Sequence, residues 1–138
     1  MRAASFAMKQ LSYHFFGNYL IQHAIVVAAK LRELSPLLLN VDAATQQAVS
    51  SAFDKLHRHL LGDIVDMAIH QQGSHVLDLL VELSTRKELF QLADELAGDA
   101  ALLMVDGRGF HVVRRVIERV VCISDSAFKS VSLIFWML

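Results

Sequence analysis

The sequence predicts an all-α fold, and three observations carry that prediction. A single proline (Pro36) and six glycines in 138 residues leave few breaks. Apolar residues recur three and four positions apart along most of the chain, a helical spacing, where a turn-rich sandwich or barrel would show alternation and frequent punctuation. Segments 36 residues apart also share residues in the same order, which marks a helical repeat.

The bulk numbers bound the rest. At this length one domain can bury a core without disulfides or metal. An apolar fraction of 54%, a mean hydropathy of +0.41 and only 20% charged residues mean that neighbouring elements must cover much of each helix. Cys122 stands alone, so no intrachain disulfide is expected and a reducing compartment is the simplest setting. No cationic segment with a long apolar core opens the chain, and no stretch reaches about 18 uninterrupted apolar residues. Leu20 to Leu31 is broken by Gln22, His23 and Lys30, and Val131 to Leu138 is too short to span. Neither secretion nor membrane insertion is expected. The net charge of -1 supplies no global field for a polyanion.

The repeat orders the elements. Leu60-Leu61-Gly62-Asp63 returns as Leu96-Ala97-Gly98-Asp99, and the same offset carries Gly73 to Gly109, His75 to His111, Val76 to Val112 and Glu82 to Glu118. An earlier copy begins at Gly17-Asn18-Tyr19-Leu20-Ile21, 56 residues before Gly73. The single domain therefore reads as copies over about 1–33, 53–88 and 89–124 plus a C-terminal helix, with an insertion over about 31–52. The insertion contains Ser35-Pro36 and then the helix-prone run from Ala43 to Ser51 behind Asp42, an N-cap residue, so it reads as a loop plus an extra helix. In each copy a short helix before the glycine, 64–69 in the middle copy, precedes a longer one after it, 74–83. A third helix follows. Thr85 and Glu88 have capping-box spacing and start it in the middle copy, with its end before Gly98; Asp125 or Ser126 is the candidate start in the last copy.

The helix after each glycine has two faces. Its third, fourth, seventh and eighth positions are Leu20, Ile21, Ala24 and Ile25; Val76, Leu77, Leu80 and Val81; and Val112, Val113, Val116 and Ile117. All are apolar and fall on one stripe, the expected buried face. The first, second and fifth positions lie on another side: Asn18, Tyr19 and Gln22; Ser74, His75 and Asp78; Phe110, His111 and Arg114. Stacked copies would align a flat ring (Tyr19, His75, His111) between polar partners, an arrangement suited to a strand of stacked bases.

In these features the chain resembles the Pumilio (PUF) family of RNA-binding repeat proteins, whose repeats have this length and carry such a triplet on the second helix. Phe16-Gly17-Asn18-Tyr19-Leu20-Ile21-Gln22-His23 is similar to one of the family's later repeats, and the likeness covers nearly the whole chain outside the insertion. It implies a right-handed α-solenoid of about three three-helix repeats, a truncated form of an array that typically has eight. It also implies that the first and fifth residues bond a base edge while the second stacks, one base per repeat. Asn18 with Gln22 then matches the uracil-reading pair, both amides offering donor and acceptor. Ser74 with Asp78 resembles a shortened guanine-reading Ser and Glu pair. Phe110 with Arg114 departs from the base-reading pairs; His111 is still a stacker, and Arg114 could meet phosphate.

The function implied is sequence-selective binding of single-stranded RNA, by resemblance in messenger RNA 3′ untranslated regions, with cytoplasmic regulation of translation or decay through protein co-regulators. No DNA or membrane partner and no cofactor is expected. A ribosome-biogenesis role, which would be nucleolar, and a helical scaffold for a protein partner are the alternatives. Arg108, Arg114, Arg115 and Arg119 form a basic cluster that could follow phosphates, although helical alternation prevents all four from facing one ligand. His57, His59, His70 and His75 do not form a ligand pattern. Without a phosphate loop, an activated nucleophile or a carboxylate pair in a motif, no enzyme activity is expected.

Overall fold

Helix starts follow the capping chemistry. In the computed structural model, which describes residues 2–124, Asp42 accepts a bond from the Thr45 amide at 3.0 Å. At Thr85 both halves of a capping box form, Glu88 N to Thr85 Oγ1 at 3.4 Å and Thr85 N to Glu88 Oε2 at 2.7 Å. The helices are α1 (Arg2–Tyr13), α2 (Gly17–Leu34), α3 (Ala43–Leu60), α4 (Ile64–Ile69), α5 (Gly73–Leu83), α6 (Arg86–Ala97), α7 (Ala100–Val105) and α8 (Gly107–Ser124), with a 3-10 turn at Ser35–Leu37. No strand occurs among the described residues. The expected third helix from Asp125 or Ser126 and the apolar tail from Val131 lie outside them.

The insertion differs from expectation. Ala43 to Ser51 does not make an extra helix; it opens α3, which runs on to Leu60 and occupies the place before Gly62-Asp63 that α6 occupies before Gly98-Asp99. The surplus residues are instead spread along the first copy. Helix α2 has 18 residues against 11 in α5, α3 has 18 against 12 in α6, and the linker between α2 and α3 is longer. Helix α1 likewise has 12 residues where α4 and α7 have six. The added length has a use in packing. Arg32, in the last turns of α2, donates to Glu88 Oε1 at 2.9 Å and to the Leu83 carbonyl at 2.8 Å. Its guanidinium also lies over the Phe53 ring, 4.1 Å from the centroid. One cation thus ties α2 to α3 and to the start of α6.

Helix α5 packs between α2 and α8, and its Val76, Leu77, Leu80 and Val81 are fully buried. The outer helices bury only half of the equivalent stripe. Ile21 and Ile25 of α2 and Val112 and Val116 of α8 are buried, but Leu20 is 62% exposed and Ile117 58%; Ala24 and Val113 are intermediate. The expectation that all twelve positions are covered is corrected accordingly. In α2 the less covered positions are the third and seventh and in α8 the fourth and eighth, so among the described residues each of these helices is covered on one side only.

Three glycines permit the turn into each long helix. A Cβ at Gly17, Gly73 or Gly109 would lie 2.8, 3.1 or 2.9 Å from the carbonyl oxygen of Leu11, Met67 or Leu103, in each case six residues earlier. Close approach, not unusual dihedrals, fixes glycine there. No helix among the described residues is long and apolar enough to cross a membrane.

Candidate nucleic-acid interface

The surface that carries the three triplets is set by how α2, α5 and α8 begin. His14 Nδ1 accepts from the amides of Phe16 (3.2 Å) and Gly17 (3.1 Å), and His70 Nδ1 from those of Gln72 (3.0 Å) and Gly73 (3.1 Å). Asp106 Oδ1 does the same for Arg108 (2.9 Å) and Gly109 (2.8 Å). Each acceptor stands three residues before its glycine and satisfies amides that the first helical turn leaves unpaired. For the histidines this assigns the ring proton to Nε2. Sequence reasoning missed these caps, although an acceptor in the same register at 14, 70 and 106 was the available signal.

From these starts the triplets diverge by position. The first residue is turned inward in two copies. Asn18 is 1% exposed; its Nδ2 donates to the carbonyls of His14 (2.9 Å) and Phe15 (2.7 Å), and its Oδ1 accepts from Gln22 Nε2 at 2.9 Å. Ser74 is 7% exposed, and its hydroxyl donates to the Gln71 carbonyl at 3.2 Å. Phe110 is exposed, not packed under a neighbour. The second residue is open in every copy: Tyr19 is 64% exposed, and His75 and His111 are exposed. The fifth residues, Gln22, Asp78 and Arg114, are half-buried.

Two of the triplets meet. Asn18, Tyr19 and Gln22 of α2 and His75, Asp78, Leu79 and Glu82 of α5 line one open cleft of about 330 Å³. The third adjoins it, because His111 Nε2 of α8 lies 3.7 Å from Asp78 Oδ2. Burial pushes the Asp78 carboxyl above the usual carboxylate range against the opposing pull of His111, Arg115 and His75, and its buried Oδ1 has no hydrogen-bond partner among the described residues. A buried acceptor without a donor disfavours the charged form, in line with the direction of this shift.

The basic cluster is dispersed. Arg114 Nε donates to Glu118 at 3.0 Å along its own helix, Arg115 lies 3.8 Å from Glu82 on α5, and Arg119 donates to the Ser84 carbonyl at 3.3 Å. Arg108 is exposed. The histidines are dispersed as well. His57 is fully buried against the Glu88 carbonyl, His59 Nδ1 shares a 2.8 Å bond with Ser5, His70 caps α5, and His75 faces the cleft. Among the described residues no three His, Cys, Asp or Glu side chains are grouped to hold a metal.

No family model, curated protein or solved structure matches the chain.

Proposed function

We propose that the chain is a binding module for single-stranded RNA, built as a right-handed stack of three Pumilio-type helical repeats, with α2, α5 and α8 supplying the contact surface. One observation carries the reading: residues in equivalent positions of successive copies share a cleft, Tyr19 and Gln22 with His75 and Asp78, and His111 of the third copy adjoins Asp78. The exposed rings give each base a stacking surface, and the half-buried fifth residues lie beside them where a base edge would fall. The half-buried Asp78 carboxyl at the cleft suits the imino and amino donors of guanine, and Gln22 suits uracil. Arg108 is exposed, and phosphate is the simplest ligand for it. Messenger RNA 3′ untranslated regions are the natural source of such a strand, with control of translation or decay exerted through recruited proteins.

The test is fluorescence anisotropy with short single-stranded RNAs containing uracil and guanine. A base stacked on an aromatic side chain contributes about 1–3 kcal/mol, so Tyr19→Ala is expected to weaken binding roughly 5- to 150-fold. If neither affinity nor base preference responds to Tyr19→Ala or to Asn18→Ala combined with Gln22→Ala, the reading is wrong. A surface serving a protein partner would then be the one to pursue.

A further inference from the structure

We infer that the chain stacks head to tail on a second copy of itself, the free side of α8 in one copy lying against the free side of α2 in the next. Each of these helices carries an open apolar stripe. On α2 it is Leu20, Ala24, Val27, Leu31 and Leu34, alternately four and three residues apart; Leu20, Val27 and Leu34 are exposed, and Ala24 and Leu31 are half-buried. On α8 it is Phe110, Val113, Ile117 and Val121, with Phe110 and Ile117 exposed and the other two half-buried. Such spacing keeps apolar side chains on one side of a helix along its length, as in a seam between two helices laid side by side. A solenoid that ends in water carries a polar outer face. Among the described residues α2 and α8 carry the opposite.

A second copy is the occupant that uses both stripes at once, and the molecule already makes this kind of contact internally. Helix α5 packs against both α2 and α8, and with both neighbours present its own stripe is fully buried. The open positions complement each other: α2 lacks cover at the third and seventh positions after its glycine, and α8 at the fourth and eighth. Laying α8 on the α2 of the next copy supplies both. The two helices also match in length, 18 residues each against 11 in α5. Charge permits the register. Within the chain the second and sixth residues of α8, His111 and Arg115, meet the fifth and ninth of α5, Asp78 and Glu82. The same step from α8 to the next copy sets its fifth and ninth residues, Arg114 and Glu118, against Tyr19 and His23 of α2, so no like charges meet. A net charge of -1 adds little repulsion between copies. Because the two surfaces differ, the contact does not close on itself, and a third copy can add to the second. None of the stripe residues lines the cleft, so the contact forms whether or not the cleft takes RNA.

The experiment is sedimentation equilibrium of the full chain without RNA, from micromolar to millimolar concentration. The expected result is a weight-average mass that rises with concentration past that of two copies. Leu20→Glu combined with Val27→Glu on α2, and Ile117→Glu on α8, put a charge into the seam while altering only exposed positions. Each should weaken association at least about tenfold. Mixed in equal amounts, the two variants keep one intact α8 and one intact α2 between them and should form a pair that does not grow further. A mass that stays at one chain throughout overturns the inference, including the case in which residues after Ser124 cover the α8 stripe. So does a pair that survives Ile117→Glu, since α2 would then be meeting α2. A mixture of the two variants that stays single overturns it as well. If either variant does not fold, methyl NMR of the unaltered chain on dilution decides: the Leu20, Val27 and Ile117 signals should shift together, and movement on one helix alone rules the head-to-tail contact out.

Discussion

Gly109 and Gly107 stand two residues apart in α8 and make opposite demands. A methyl group at Gly109 would sit 2.9 Å from the Leu103 carbonyl, and one at Gly107 would meet nothing within 4 Å. Gly109→Ala is expected to destabilise by about 1–3 kcal/mol through overpacking. Gly107→Ala should be neutral or stabilising by up to about 1 kcal/mol, because it removes backbone freedom from the unfolded chain. Urea denaturation midpoints of the two variants check the pair, and a loss at Gly107 as large as that at Gly109 would contradict the close-approach explanation. His57 makes a pH-dependent demand. Burial holds its imidazole below the ordinary histidine range, its Nε2 meets the Glu88 carbonyl at 3.2 Å, and its Nδ1 is buried without a partner among the described residues. The neutral ring therefore belongs to the folded state. Its contribution is complete above about pH 6.5, where the unfolded histidine is also neutral, and is lost as pH falls toward the depressed folded value. His57→Gln keeps a nitrogen for Glu88 and cannot titrate, so its denaturation midpoint should vary less between pH 7.5 and 5.5 than that of the unaltered chain.

At the scale of elements, the caps at His14, His70 and Asp106 predict that acceptor identity matters more than residue type. Removing the acceptor by His14→Ala should cost about 0.5–2 kcal/mol, and His14→Asp, which gives the first copy the cap of the third, should recover most of it in thermal unfolding. Recovery would fail if His14 acted mainly through its ring. The same scale shows how far sequence reasoning reached. Helices α4 and α6 occupy the spans that periodicity and the Thr85 box predicted; the start of α6 is local chemistry, whereas at the start of α4 the Gly62 and Ile64 amides are taken by Glu95 of α6. The run behind Asp42 was correctly capped but wrongly bounded: nothing between Ser51 and Phe53 breaks a helix, and counting residues against the shorter copies made a lengthened helix look like an additional one. The joining role of Arg32 was not legible at all, since its partners lie 51 and 56 residues away.

For the whole molecule, the legible part of the candidate site was its periodicity. Tyr19, Gln22, His75 and Asp78 follow from register together with the Pumilio resemblance, and the fold brings them to one cleft. The inward turn of Asn18 and Ser74 was hidden, because burial of a first-turn polar residue depends on where the preceding carbonyls point. The half-covered stripes of α2 and α8 were hidden too, since a repeat pattern does not say which copy stands at an end.

That inequality between ends and middle also has a consequence in time. Of α2, α5 and α8, only α5 has its apolar stripe fully covered by the described residues, so local openings that release α2 or α8 should each be cheaper than one that releases α5. Followed by hydrogen exchange, the chain should take up deuterium from its two edges inward, with the amides around Leu77, Leu80 and Val81 the last to exchange. Uniform exchange in all three helices would show that the copies open together, as a single cooperative unit.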